Sequence, residues 1–466
     1  MFDRPGLSAG DCRAGLSCSA ARLTHGSHES GGMLWERREP RSWESQHRRI
    51  QACPESLDCR LRGSRRSDSR CIELASAQSG SQGLERMRNA VTRWLLLATL
   101  LYSGCAPGLA APGKLLEAVA TDGAPAGAKA WRIRYETTDV DGDPTQSTGV
   151  LVAPDGPSPV QGRDIVAWAH GTVGIDSACT PIRSLDQIPG LADMLARGWV
   201  VVASDYPGLG TRGPHAYLAG DAAAAAVLDS VRAATALPAA GASRSFAVWG
   251  HSQGGHAALF SAQRARSYAP DLQLQGVVAV SPPTELAANM QHADTTVRGL
   301  LTAFTARSWS RVYGADLSTI ANATTRGVIE RATSGCEGDP FSAAALVRLL
   351  RLRARLGSLD LGGRAPWDGL MARNSITALA AGSAPLLLVQ SDADGLVATP
   401  VTWRFFEQSC KRGAAVNYLR LPDTGHATTA IASADRAIAW IAERFSGQAA
   451  GSDCGLAMSA GTDAGG

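Results

Sequence analysis

From residue 131 onward the chain alternates short β-rich runs with helical stretches, and this rhythm limits the available folds more than any other feature. Candidate strands run from Trp131 to Thr137, Thr148 to Ala153, Asp164 to Ala169, Trp199 to Ser204, Ser245 to Trp249, Gly276 to Ser281, Pro385 to Gln390 and Val416 to Leu421. Runs such as Gly276-Val-Val-Ala-Val and Leu386-Leu-Leu-Val are apolar throughout, as strands covered on both faces require. Helical candidates fall between them: Leu191 to Arg197, Asp221 to Leu237, Gln253 to Tyr268 and Ser433 to Phe445. Two leading strands followed by strand-helix alternation predict an α/β fold, a mostly parallel central sheet flanked by helices. No internal repeat is present.

One gap interrupts the rhythm. Between Pro282 and Ala384 the patterns are helical, including the Leu/Arg alternation of Phe341 to Leu356, and no strand is evident. An insertion of this length in a sheet fold is usually functional, so residues 284–384 read as a helical cap or lid, inserted between strands six and seven. The plainer alternative is a packed decoration without a gating role. The Leu/Arg helix itself reads as ordinary amphipathic packing rather than a membrane anchor.

Composition separates the folded part from what precedes it. The 466 residues are 45% hydrophobic and 19% charged, enough to bury a large core. Net charge is +3, from 45 basic and 42 acidic residues, too balanced for a nucleic-acid binder held by phosphate contacts. The basic excess is N-terminal, with fourteen arginines against eleven acids in residues 1–86. That segment is rich in Arg, Ser and Gly and has no sustained hydrophobic period, so it reads as a disordered or untranslated extension. From Met87 a short basic region, the apolar run Trp94 to Tyr102 and small residues near Ala110 match a secretory signal over 87–110. The expectation is therefore translation from Met87, export to the periplasm or exterior, and one folded α/β domain over 111–466. Cys105, in Tyr102-Ser-Gly-Cys105, leaves lipid anchoring as a minor alternative.

Export changes how the cysteines are read. Cys179, Cys336, Cys410 and Cys454 follow the signal, scattered and without a C-x-x-C pair. Structural disulfides fit an oxidising compartment better than a zinc site, with three pairings open.

The strongest chemical signal is Gly250-His-Ser-Gln-Gly254, directly after an apolar run and directly before a helix. A nucleophile on a sharp strand-to-helix turn needs small neighbours, because the backbone there is strained and tightly packed. Ser252 would expose its hydroxyl at the helix start, where the amide of Gln253 can bind an oxyanion. With such an elbow the partners follow in the order acid, then histidine. His292 falls within the insertion, which leaves His426, in Asp423-Thr-Gly-His426 after the last strand, as the general base. The acid should follow the preceding strand, where Asp392 and Asp394 both stand; the Asp-x-x-Val spacing favours Asp394. His170-Gly-Thr-Val-Gly174 follows the third core strand and offers the backbone N–H of Thr172 as second oxyanion donor, with His170 in a structural role.

Taken in order, His170-Gly-Thr-Val-Gly174 with Cys179-Thr-Pro181, Asp205-Tyr-Pro-Gly-Leu-Gly210, Gly250-His-Ser-Gln-Gly-Gly-His256, the Asp394 turn and Thr424-Gly-His426 resemble the α/β-hydrolases. More narrowly, they resemble the secretory lipase family of fungi and its bacterial relatives. The resemblance covers about residues 131–445 and implies a lipase or carboxylesterase with Ser252, Asp394 and His426 as triad. It also implies disulfides Cys179–Cys336 and Cys410–Cys454. Ser391 departs from the pattern, since relatives often have Gly there. The implied chemistry is two-step acyl transfer through an acyl-enzyme, with a small ester or lipid as substrate, transient contact with a lipid interface, and no metal or organic cofactor. The same triad also serves peptidases, thioesterases and acyltransferases, and a catalytically silent binding protein is the reading from a different class.

Overall fold

In the computed structural model the described residues are 112–179, 185–336 and 343–456. The N-terminal extension, the signal with Cys105, the Thr180-Pro181 pair and part of the insertion lie outside them. The strands are β1 (Leu115–Thr121), β2 (Ala128–Thr138), β3 (Pro144–Pro154), β4 (Arg163–Ala169), β5 (Val200–Ser204), β6 (Ala242–His251), β7 (Gln273–Val280), β8 (Leu386–Ser391) and β9 (Val416–Leu421). They form one sheet in the order β1-β2-β3-β5-β4-β6-β7-β8-β9. The β1–β2, β2–β3 and β3–β5 pairs are antiparallel, and every later pair is parallel.

Three leading strands therefore precede the alternation, where the sequence suggests two. The additional strand, β1, is an edge strand with partly exposed residues along its length, so it lacks the apolar contrast that marks the buried strands. Its presence moves the insertion to between the seventh and eighth strands, at the same place in the chain.

The helices with a described length of six residues or more are α1 (Leu191–Ala196), α2 (Gly220–Thr235), α3 (Gln253–Tyr268), α4 (Leu286–His292), α5 (Thr295–Val312), α6 (Ala323–Thr333), α7 (Ala343–Leu356), α8 (Trp367–Arg373), α9 (Thr399–Lys411) and α10 (Ala434–Phe445). Period-2 alternation in the strands supplies two cores. On β4, Ile165, Ala167 and Ala169 join Val227 and Leu228 of α2 and Phe260 of α3 on one face. Val166 and Trp168 point the other way, to Leu191 of α1 and Ile438 and Trp440 of α10. Each buried Val, Ile or Leu contributes about 1.5–3 kcal/mol, so both faces must be covered, as the continuous apolar runs require. Helix α9 is absent from the sequence reading. Its Val401, Thr402, Phe405 and Phe406 are buried at helical spacing, but β-branched and aromatic residues of this kind favour a strand and compete with that period.

Helices α4 to α8 form the insertion and carry a core of their own, with Trp309, Ile329, Leu352, Leu356 and Trp367 buried together. Helix α5 begins on Asp294, whose side chain accepts from the amides of Thr296 and Val297. A disulfide joins Cys179, in the loop after β4, to Cys336 after α6. A second joins Cys410, in the last turn of α9, to Cys454 near the C-terminus.

Candidate active site

The parallel strands bring several loops to the C-terminal edge of the sheet, where sites of open α/β sheets form. Ser252 occupies the turn from β6 into α3 with φ 56° and ψ −120°, a region that a side chain rarely adopts. The flanking glycines permit the turn. A Cβ on Gly250 would lie 2.0 Å from the carbonyl oxygen of Gly254, and one on Gly254 would lie 1.8 Å from that of Ala169. Neither position tolerates a side chain.

The hydroxyl of Ser252 lies 2.8 Å from Nε2 of His426. Nδ1 of the same ring lies 2.9 and 2.8 Å from the two oxygens of Asp394. The Asp394 side chain is fully buried, and the backbone amides of Leu396 and Val397 donate to its Oδ1 at 2.9 and 2.8 Å. Burial pushes its carboxyl up, but the His426 hydrogen bond and charge and the Val397 amide outweigh this and hold it below the ordinary carboxylate value. Asp392 points elsewhere: both its oxygens lie 2.7 Å from Nε of Arg420. His292 is exposed at the end of α4 and has no hydrogen bond to these groups.

Gly171 and Thr172 line the same cavity as Ser252 and Gln253. A Cβ on Gly171 would stand 3.5 Å from that of Ser252, so the loop after β4 abuts the nucleophile. The amides of Thr172 and Gln253 have no hydrogen-bond acceptor among the described residues. Thr172 is braced by the loop before α2: its hydroxyl lies 3.1 Å from that of Tyr217. The Tyr217 amide in turn donates to Ser308 and its carbonyl accepts from Trp309, both on α5.

Several positioning groups are not evident in the sequence. His251, the last residue of β6, donates Nε2–H to the His426 carbonyl at 2.9 Å. Burial, and secondarily the neighbouring His426, push its ring down to about 4, so it is neutral at neutral pH. Ser391 donates to the carbonyl of Thr424, which gives this departure from the family pattern a structural use: it ties the acid loop to the histidine loop. The Gln253 side-chain amide donates to Nε2 of His215 at 2.9 Å, fixing the residue after the nucleophile. His170 and His256 are buried with rings pushed down to about 4 by that burial. A histidine one residue before the serine was the available signal for His251; Ser391 and His215 act across loops whose approach depends on the whole sheet.

Over the triad lies a cavity of about 310 Å³, roofed by Leu286, Met290, Leu300, Leu301 and Phe304 of the insertion. An apolar chamber with a few convergent polar groups suits a ligand having one reactive polar centre and an apolar remainder.

Residues 185–453 match a family described as secretory lipase. Among curated proteins, the chain is 24% identical over 374 residues to "Probable inactive lipase MT1628" of Mycobacterium tuberculosis, covering 74% of this chain and 80% of that one. It is 24% identical over 356 residues to the secreted triacylglycerol lipase LIP4 of Malassezia globosa, covering 70% and 75%. Among solved structures, Candida antarctica lipase A in its closed state superposes with a TM-score of 0.61 at 21% identity, covering 75% of this chain and 85% of that one. The rice cell wall degrading esterase LipA from Xanthomonas oryzae does so with a TM-score of 0.60 at 20% identity, covering 72% and 98%.

Proposed function

Because this chain belongs to the secretory lipase family and has the α/β-hydrolase fold, we propose that it is an exported carboxylic ester hydrolase acting through Ser252, His426 and Asp394. The observation that carries this is the unbroken hydrogen-bond relay from the Ser252 hydroxyl through His426 to buried Asp394. His426 takes the serine proton as Oγ attacks the ester carbonyl carbon. The amides of Thr172 and Gln253 receive the developing oxyanion, an interaction worth about 3–4 kcal/mol per donor in comparable enzymes. His426 then passes the proton to the departing alcohol, leaving Ser252 acylated. Water, deprotonated by His426, releases the acid and restores the hydroxyl. Asp394 stays ionised, fixes the tautomer that keeps Nε2 free to accept, and stabilises the imidazolium.

The apolar roof supports an acyl group as the buried part of the substrate. Export is supported by the names of the Malassezia relatives, which are secreted lipases, and by the two disulfides. Among the described residues no helix is long and apolar enough to cross a membrane. A mycobacterial relative carries "inactive" in its name, so turnover itself is the first experiment. The native protein should hydrolyse p-nitrophenyl butyrate and octanoate, and Ser252→Ala should lose that turnover while keeping its melting temperature. Equal turnover by the variant would refute the proposal.

A further inference from the structure

Helix α7, Ala343–Leu356, carries two apolar faces where a packed helix needs one. Leu352 and Leu356 are fully buried in the core of the insertion. The contact with α5 is close: a Cβ on Gly299 would lie 2.8 Å from the carbonyl oxygen of Leu352. On the outward side Leu346, Val347 and Leu350 are 56%, 45% and 53% exposed, with Ala354 exposed beside them. At 100° per residue, Leu346, Leu350 and Ala354 form one row and Val347 continues it. Exposed Arg351 and Arg355 border that row on one side and exposed Arg353 on the other.

Three large exposed apolar side chains within five residues differ from the remaining exposed ones, Val119, Val160, Leu396, Ile431 and Leu456, which are spread along the chain. The arginines are equally unusual. Arg353 interacts with Asp294 at the start of α5, but no ion pair joins Arg351 or Arg355 to an acid among the described residues. An apolar strip that enters a hydrocarbon layer, edged by guanidinium groups whose stems reach up to the headgroups, is the geometry of a helix lying in a membrane interface. The positive charge of Arg351 and Arg355, which no ion pair among the described residues neutralises, selects negatively charged headgroups.

We propose that α7 docks the protein on a lipid surface carrying anionic headgroups, with Leu346, Val347 and Leu350 inserted and Arg351, Arg353 and Arg355 at headgroup level. Helix α5, against which α7 packs, supplies Leu300, Leu301 and Phe304 to the cavity over Ser252, so the docked face stands one helix away from the place where an acyl chain would be held.

Binding is measured without reference to turnover, which keeps this surface separate from the catalytic reading. The full chain is sedimented with vesicles of phosphatidylcholine alone, and with vesicles in which about a third of the lipid is phosphatidylglycerol. The native protein should bind the anionic vesicles at least tenfold more tightly, and added salt should weaken that preference. The triple change Arg351→Gln, Arg353→Gln and Arg355→Gln should reduce binding to the level of the neutral vesicles. The triple change Leu346→Ser, Val347→Ser and Leu350→Ser should weaken binding to both by tenfold or more. Both variants alter exposed side chains, and an unchanged melting temperature verifies their folding. The proposal is overturned if either variant binds like the native protein, or if the native protein binds neither vesicle. It is also overturned if lipid-free sedimentation reveals a dimer that the serine variant dissociates, since a second copy would then cover the strip.

Discussion

His251 donates its Nε2–H to the carbonyl oxygen of His426 at 2.9 Å, so the residue preceding the nucleophile holds the backbone of the residue that serves it. The two rings lie 4.9 Å apart. Strand β6 thereby fixes both ends of the Ser252–His426 hydrogen bond, and the His426 loop is anchored without a charge beside the imidazole.

His251→Leu should therefore reduce kcat for p-nitrophenyl butyrate by about 10- to 100-fold with little change in KM, because a base displaced by about 1 Å loses rate on that scale. His251→Gln keeps an amide donor and should recover part of the loss. Equal losses in the two variants, or a loss confined to KM, would assign His251 a packing role only.

The two candidate acids separate cleanly. Asp394→Asn replaces the carboxylate at 2.8 Å from His426 Nδ1 and should lower kcat by about 10³- to 10⁴-fold, as loss of the orienting acid does in serine hydrolases. Asp392→Asn breaks only a partly exposed pair with Arg420 and should leave kcat within about twofold. Steady-state kinetics of both variants check this, and comparable losses would contradict the geometry.

Acid should destabilise the fold before the carboxylates titrate. Burial pushes His170, His215, His251 and His256 down to about 4, against about 6.5 in an unfolded chain. Between those values the unfolded chain takes up protons that the folded one refuses. Their stabilising contribution is thus complete above pH 6.5 and falls as pH drops through 6.5 towards 4, by about 1.4 kcal/mol per pH unit for each group. Asp394, held below its ordinary value, adds a loss only under about pH 4. Thermal melts from pH 7 to 4.5 should move steadily downward; a flat profile contradicts the assignment of these rings as neutral.

The disulfides close loops with separations of 157 and 44 residues, for which chain entropy sets ceilings of about 5 and about 4 kcal/mol. Reduction should lower the melting temperature, and Cys179→Ser with Cys336→Ser should lower it more than Cys410→Ser with Cys454→Ser. The opposite ranking would mean that the link between the insertion and the sheet contributes little.

The buried parallel strands are legible in the sequence because both faces need apolar cover, which leaves unbroken runs such as Leu386 to Val389. Ser252 and His426 are legible because glycine spacing and chain order restrict where an elbow and its base can stand. Edge strand β1 is not, since a half-exposed strand carries weak periodicity, and neither is helix α9, whose Val, Thr and Phe residues favour a strand although its buried positions recur at helical spacing. The choice between Asp392 and Asp394 rests in the sequence on a three-residue spacing, whereas in the fold it follows from which carboxylate meets His426 and which meets Arg420. The outward strip of α7 was hidden by its own pattern: leucines and arginines in alternation look alike whether one side of the helix is covered or both.

The central claim is that Ser252 is a nucleophile activated by His426, and covalent labelling tests it most directly. Incubation with a fluorophosphonate followed by intact-mass and peptide mass spectrometry should give one adduct per chain, on Ser252, with none on the Ser252→Ala or His426→Ala variants at matched times. An unlabelled native protein, or an adduct on another residue that survives Ser252→Ala, would contradict the account.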